Sequence, residues 1–186
     1  MSSLPVDLLV EEHRLIERMI VLAKKEIDRV TKTLNLNPRF IVVTVDFLRS
    51  YADKCHHGKE EGILFKGLSR KQLSSDDDRI MRELELEHAY ARRTVNNLES
   101  LKDSYVAGNV EASKEILQLM TQLVEFYPIH IKKEDEQFFY PSMKYFTAQE
   151  QKDMINEFEE FDRNFIHKKY QQIVSTIETV PPNAKN

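Results

Sequence analysis

Apolar residues recur at alternating steps of three and four residues along long stretches of this chain, and this spacing constrains the fold more than any other feature. The first such stripe reads Leu9, His13, Ile16, Ile20, Ala23, Ile27 and Val30. Residues with this period share one face of an α-helix. The 4 glycines and 6 prolines among 186 residues are too few for the frequent turns of a sheet-rich protein. The sequence therefore predicts an all-α protein.

Short polar segments separate five predicted helices, at about residues 5–34, 39–68, 74–108, 110–140 and 147–178. Ser74 and Thr147 have the form of N-terminal caps for the third and fifth helices. Four long amphipathic helices joined by short connections predict an antiparallel up-down-up-down four-helix bundle over about residues 5–145. The additional C-terminal helix, about residues 147–178, is expected to pack outside it, within a single domain of residues 1–186.

Composition narrows the classes of partner and compartment. The formal net charge is -4 and no basic stripe occurs, so neither nucleic acid nor an anionic membrane is an expected partner. Cys55 is the single cysteine, which excludes an internal disulfide and suits a reducing compartment. No secretory signal and no membrane-spanning apolar run is recognisable. These features predict a cytoplasmic protein, and they indicate no particular protein partner.

Three histidines occupy positions in otherwise apolar stripes, one on each of three predicted helices: His13, His88 and His130. A buried imidazole must satisfy two ring nitrogens, which costs free energy unless partners are present. A lone histidine of this kind is usually a hydrogen-bonded core residue. Three on different helices, with a candidate on the fourth, favour a metal site inside the bundle.

An internal repeat strengthens the metal interpretation. HHGKEEGILF on the second helix matches HIKKEDEQFF on the fourth, which aligns His56 with His130 and Glu60 with Glu134. In each copy a histidine and a glutamate stand four residues apart, so both lie on the same helix face one turn apart. One such pair is common by chance, whereas two matching pairs are not.

The second helix offers an alternative register, because His57 and Glu61 have the same spacing as His56 and Glu60. The repeat favours His56 and Glu60, and so does the apolar stripe, since His56 lies four residues after Ala52. His57 follows Asp53 and Lys54 and is expected on a polar face. His57 and Glu61 therefore remain secondary metal-ligand candidates.

The chemistry of the donor set indicates more than one metal ion. Imidazole and carboxylate donors suit iron, zinc, manganese or cobalt. Six protein ligands exceed what one tetrahedral zinc requires, but they fit two ions about 3.5–4 Å apart. Glu60 and Glu134, on different helices, are the natural bridging carboxylates. The alternative is a metal-free bundle with buried His–Glu hydrogen bonds, at a high cost in desolvation.

Other polar residues carry weaker signals. Glu85 and His88 form a Glu-x-x-His pair, but the ferritin-like di-iron bundles need two such pairs. His167 on the fifth helix is expected at the surface or in packing and is a lesser metal candidate. Tyr51 and Tyr127 are expected in the core, where either hydroxyl could support the ligands.

Taken together, these motifs resemble the hemerythrin-like, HHE cation-binding family. The resemblance covers about residues 9–141 and is carried by EEHRLIE, HHGKEEGILF, ELEHAYARR and HIKKEDEQFFYP. It is closest to the bacterial repair-of-iron-centres type. It implies an antiparallel four-helix bundle with an oxo- or hydroxo-bridged pair of iron ions, other divalent metals being alternatives. The ligands it implies are His13, His56, Glu60, His88, His130 and Glu134.

One departure from the oxygen-carrying hemerythrins concerns the position four residues after His88. Those proteins have a histidine there, and this chain has Arg92. The resemblance then implies an open coordination position and a protein that binds or reacts with O2, NO or peroxide, in stress sensing or iron-centre repair. The alternatives are a di-iron oxidase or peroxidase and a structural metal-bound bundle. No general acid or base beyond the ligands is recognisable, which favours a metal- and gas-binding protein over an enzyme without deciding between them.

Overall fold

The computed structural model describes residues 4–163 and 167–179, and every regular element within those ranges is helical. Helix α1 is Pro5–Thr33. Helix α2 starts as Pro38–Phe47, continues as π-helical Leu48–His57 and Glu60–Phe65, and ends with Lys66–Leu68. Helix α3 is Ser75–Val106. Helix α4 is Ala112–Lys133, followed by π-helical Glu134–Phe139, Tyr140–Ser142 and a 3-10 turn at Met143–Tyr145. Helices α5 and α6 are Ala148–Asp162 and His167–Thr179. The all-α prediction is confirmed.

The prediction of one continuous C-terminal helix over residues 147–178 is wrong. Helix α5 ends at Asp162, a turn follows at Arg163, and residues 164–166 lie outside the described residues. The two helices bury different apolar faces. Met154 and Phe158 of α5 pack on one apolar cluster, and Tyr170 and Val174 of α6 pack on another. Because α5 ends before α6 begins, each helix can pack on its own apolar cluster.

Both predicted N-terminal caps are present. The Ser74 hydroxyl accepts a hydrogen bond from the backbone N–H of Asp77, which starts α3. Thr147 and Glu150 form a reciprocal capping box at the start of α5. These caps satisfy N–H groups that have no partner within the helix.

Side-chain contacts between neighbouring helices show in which direction each helix runs relative to the next. Along each contact, the residue numbers rise on one helix while they fall on the other. Between α2 and α3 the pairs are Arg49–Glu99, Asp53–Arg92 and Glu61–His88. Between α3 and α4 they are Glu87–His130 and Tyr90–Phe126. Between α1 and α4 they are Asp7–Tyr140 and His13–Asp135. Each of these helix pairs therefore runs antiparallel.

A buried polar layer divides the apolar core into two clusters. His13 follows Leu9 of one cluster and precedes Ile16 of the other, and His88 is similarly placed between Leu84 and Val95. His13 is 1% exposed and His88 is 0% exposed. Apolar packing on both sides keeps water from this layer, so its polar groups depend on one another or on a bound ion.

No helix within residues 4–163 and 167–179 has the length and apolar character needed to cross a membrane. Cytoplasmic localisation and the single-domain boundaries stay predictions.

A pH-dependent ion pair stabilises the start of α3. Asp77 receives hydrogen bonds from Lys144, Tyr145 and Ser74, and these contacts lower its pKa to about 2. Because the pKa of Asp77 is lower in the folded chain than in the unfolded chain, this contribution exists above about pH 4 and is lost as the pH falls toward 2. We predict that Asp77→Asn lowers the free energy of unfolding by about 1–2 kcal/mol at pH 7.

Urea titrations of both proteins at a series of pH values measure this effect. The difference between wild type and Asp77→Asn should shrink between pH 4 and pH 2, and a difference that stays constant over that range would refute the assignment. Asp76→Asn is a matched control, because Asp76 is exposed on the same helical turn and its one ion pair with a described residue, to Arg79, is long, at 3.9 Å.

Candidate metal centre

Seven buried donor residues meet in the polar layer in two adjacent groups. The first group contains His13, His56, Glu60 and Glu134, and the second contains His57, His88 and His130. Within each group the candidate ligand atoms lie within 4.8 Å of one another. Helix α1 contributes one histidine, α2 contributes two, and α3 and α4 contribute one each. The structure thus brings together all six primary ligand candidates from the sequence, with His57 in addition.

Glu60 and Glu134 lie between the two groups. One oxygen of Glu60 is 3.2 Å from His56 Nε2, and its other oxygen is 3.4 Å from His88 Nε2. Glu134 Oε2 is 3.2 Å from His13 Nε2, and Glu134 Oε1 is 3.3 Å from His88 Nε2. Each carboxylate therefore reaches both groups, which is the position that a bridging ligand requires.

Carboxylates hold four of the five histidines through their Nδ1 atoms. The Nδ1–oxygen distances are 2.7 Å for His13–Asp135, 2.9 Å for His56–Glu12, 2.7 Å for His88–Glu61 and 2.8 Å for His130–Glu87. A carboxylate on Nδ1 places the proton there and leaves Nε2 with a free lone pair. This arrangement orients each ring as a metal ligand.

The free lone pairs converge. His13 Nε2 and His56 Nε2 are 2.8 Å apart, although the Nδ1 of each ring already faces a carboxylate. Two lone pairs at that distance repel unless a proton or a cation lies between them. One oxygen of Glu60 and one of Glu134 lie 3.2 Å from His56 Nε2 and His13 Nε2, respectively, and add further negative charge.

Several of these donors have no hydrogen-bond partner among the described residues. The atoms concerned are both nitrogens of His57, both oxygens of Glu60, His130 Nε2 and Glu134 Oε2. Unpaired buried polar atoms cost free energy, and clusters of them call for an explanation such as an ion. A mixed set of imidazole and carboxylate donors fits divalent or trivalent iron and its neighbours in the first transition row.

The pKa shifts of three donor residues show where this layer favours positive charge. Burial and the adjacent His56 lower the pKa of His13 to about 4. Burial also disfavours the charged form of His56, but Glu60 and Glu12 outweigh it and raise the pKa of His56 to about 9. Burial and the charge of Glu60 raise the pKa of Glu134 well above its usual range. The chain thus favours positive charge between Glu60 and Glu12, and metal binding would replace that charge with an ion.

The sequence-based placement of His57 on a polar face is wrong. His57 is 1% exposed, and its ring stacks on His88 with the centroids 3.9 Å apart. The cause is the π-helical backbone of Leu48–His57, in which each residue turns through a smaller angle than in an α-helix. His56 and His57 therefore both face the interior. His57 also supplies a third imidazole to the second group. That group therefore has three histidines, although position 92 is an arginine.

Glu61 and Arg92 support the site from outside. Glu61, a secondary ligand candidate from the sequence, accepts from His88 Nδ1 and from the Arg92 guanidinium, at 2.7 Å each. Arg92 also donates to Asp53 at 2.6 Å. Arg92 therefore acts on the histidines through Glu61 and Asp53, whose negative charges it neutralises.

The remaining candidates do not belong to the seven-donor set. His167 Nε2 is 3.0 Å from Asp162 and 3.4 Å from Cys55 Sγ, in a separate cluster with Glu12. Tyr51 contacts the His167 ring edge-on rather than a ligand. Tyr127 is buried and lines a cavity beside His57.

Sequence reasoning assigned no role to Glu12, Glu87 and Asp135, or to the two lysines that the repeat contains. Glu12 and Glu87 directly precede His13 and His88, and each holds the Nδ1 of a histidine on a neighbouring helix. The equivalent lysines then bind these glutamates, Lys59 to Glu12 and Lys133 to Glu87. Glu61 and Asp135 directly follow the two bridging candidates and hold His88 and His13.

The comparison with protein families agrees with this geometry. The profile of the hemerythrin HHE cation-binding domain matches residues 4–139 and, in a second overlapping match, residues 79–183. The chain therefore belongs to the hemerythrin HHE cation-binding family, and metal binding, typically of iron, follows from that membership. Comparison with curated proteins and with solved structures gives no significant match. A closer relation to the repair-of-iron-centres type stays a prediction.

The carboxylates on Nδ1 should contribute to metal affinity. We predict that Glu87→Ala weakens Fe(II) binding by about 10- to 100-fold, because His130 loses the partner that orients it. Glu83→Ala is the matched control: Glu83 lies one turn away and contacts Lys133 and Arg79 but no histidine. Anaerobic competition with a chelator of known affinity measures both, and equal affinities for the two variants would contradict the assigned role of Glu87.

Proposed function

We propose that this chain binds a pair of iron ions in the polar layer and uses them to bind or react with O2, NO or peroxide. The observation that carries the proposal is the convergence of five buried imidazoles and two buried carboxylates, several of whose donor atoms have no hydrogen-bond partner in the described part of the chain. Seven such donors exceed the needs of one ion, and their division into two groups supports a pair.

Each residue has a definite part in this proposal. His13 and His56 would hold one ion, and His57, His88 and His130 the other. Glu60 and Glu134 would span both. When bound, iron supplies redox chemistry and sites for small ligands. The chain supplies five oriented imidazoles, a closed apolar surround and a ring of carboxylates that fixes the protonation of each histidine.

The two ions would not be equivalent. Ile131 occupies the position in the repeat that corresponds to His57, and it is buried and apolar. The first group therefore offers two imidazoles and the second offers three. Such an asymmetric pair supports binding of an external ligand, which suits sensing of oxygen or nitrosative stress, or iron-centre repair, better than a purely structural site.

We also infer that α1 to α4 form an up-down-up-down bundle. The antiparallel pairs α1–α4, α2–α3 and α3–α4 support this topology. The contacts Glu12–Lys59 and Glu26–Asn37 support it too, because they join α1 to α2 and to the residue just before α2 in antiparallel order.

Iron content tests the proposed centre. Protein loaded with Fe(II) under anaerobic conditions should hold two irons per chain, and His130→Ala and Glu134→Ala should each hold fewer because a ligand is lost. His167→Ala is the control, since His167 lies outside the seven donors, and it should keep two. One iron in the wild type, or iron lost from His167→Ala, would contradict the proposal.

Ligand chemistry tests the proposed use of the iron. Adding O2 or NO to the loaded wild type should change the visible absorption spectrum, and the change should be absent in His130→Ala. A spectrum that responds to neither gas nor to peroxide would favour a structural metal site. Sustained peroxide or NO turnover would instead identify an enzyme.

A further inference from the structure

A second cluster of metal-ligand side chains lies where the two C-terminal helices meet α2. Cys55 belongs to the π-helical part of α2, Asp162 is the last residue of α5, and His167 is the first residue of α6. Cys55 is buried, whereas Asp162 and His167 are partly exposed. None of the three belongs to the seven donors of the polar layer. The cluster is therefore a separate set of donors with access to solvent.

The three donor atoms of this cluster have the mutual spacing of ligands around one ion. Cys55 Sγ is 3.4 Å from His167 Nε2 and 3.8 Å from Asp162 Oδ1, and the nitrogen and the oxygen are 3.0 Å apart. Zinc bonds of about 2.0–2.3 Å at tetrahedral angles separate such ligand atoms by about 3.4–3.6 Å. A triangle with the observed sides has a point about 2.0 Å from all three atoms, which is close to these bond lengths. One cation can therefore contact all three donors with little movement of the chain.

The groups next to the cluster are those that commonly surround metal ligands. Lys59 donates a hydrogen bond to Asp162 Oδ1 at 2.7 Å and also binds Glu12. Glu12 Oε1 in turn lies 3.6 Å from His167 Nδ1, on the side of the ring that faces away from the sulfur. A carboxylate ligand usually accepts a further hydrogen bond, and the second nitrogen of a histidine ligand usually faces a carboxylate. Both features are present here.

The charges of the cluster balance when a divalent cation is added. A Cys55 thiolate, Asp162 and Glu12 carry three negative charges, and Lys59 carries one positive charge. His56, which also contacts Glu12, is counted as neutral because a histidine must be neutral to bind metal. Two further positive charges bring the sum to zero. Cys55 and Lys59 are almost fully buried, so this compensation matters. Without a cation the sulfur keeps its proton, which metal binding releases.

We propose that Cys55, Asp162 and His167 form a second metal site, which takes one zinc-type divalent cation and leaves its fourth coordination position to water. Thiolate and imidazole together favour zinc, and ferrous iron lies below zinc in the affinity order of divalent metals. The seven donors of the polar layer include no sulfur, so the two sites select different metals. The cation ties the end of α5 and the start of α6 to α2, one residue before His56.

Cobalt(II) is the probe for this site, because a thiolate bound to cobalt(II) gives a charge-transfer absorption band that nitrogen and oxygen ligands do not give. The protein is first loaded with Fe(II) under anaerobic conditions, so that the polar layer is filled. Added cobalt(II) should then produce the band at one cobalt per chain, and an excess of zinc should remove it. Cys55 is the single cysteine, so the band reports on this site alone.

Removal of one ligand tests which residues hold the cation. His167→Ala should weaken cobalt(II) binding by more than about 100-fold, the upper value for loss of a group one contact away from a metal, because here a ligand itself is lost. Its iron content should stay at two per chain. Lys168→Ala is the matched control, since Lys168 is the next residue on α6 and is exposed, and it should bind cobalt(II) as the wild type does.

The outcomes separate this site from the proposed iron pair. Absence of the thiolate band in the wild type, or equal cobalt(II) affinities of His167→Ala and Lys168→Ala, overturns the second site. The band together with fewer than two irons supports the second site and overturns the iron pair alone. Asp162→Asn decides the case if His167→Ala fails to fold, with Asp153→Asn, exposed on the same helix, as its control. Equal cobalt(II) affinities of these two variants also overturn the site.

Discussion

Imidazole and carboxylate lone pairs that converge in a space closed to water are the constraint on which the rest of this structure depends. His13 and His56 direct their Nε2 atoms at each other from 2.8 Å, and an oxygen of Glu134 and an oxygen of Glu60 lie 3.2 Å from these two nitrogens. Such a set is repulsive and poorly solvated by itself. Bound metal would remove both penalties, so folding of the core and metal binding should be thermodynamically linked.

The surrounding structure fixes this set in place at two levels. Apolar clusters above and below the polar layer hold the helices and keep out water. Around the donors, carboxylates on Nδ1 select one tautomer of four histidines, and lysine and arginine side chains neutralise those carboxylates. Lys59 is 0% exposed and binds Glu12 and Asp162, so α5 also contributes to holding His56. Helix α5 is thus part of the support of the metal centre.

Much of this arrangement could be predicted from the sequence, because periodicity and the repeat are local signals. The apolar stripes predicted the helices, and the spacing of His56 with Glu60 and of His130 with Glu134 predicted which residues share a face. The burial of His57 could not be obtained in this way, since it depends on a π-helical backbone that the regular α-helical period does not describe. The partnerships of Glu12 and Glu87 are contacts between helices, and only packing reveals them. The break after Asp162 likewise reflects which part of the core each C-terminal segment covers.

The most direct test of the central claim is the location of iron itself. A crystal structure of anaerobically loaded protein, with anomalous data at the iron edge, should show two peaks about 3.5–4 Å apart. One should lie beside His13 and His56, and the other beside His57, His88 and His130, with Glu60 and Glu134 between them. A single peak in this layer, or iron at the Cys55–His167 cluster in its place, would contradict the account.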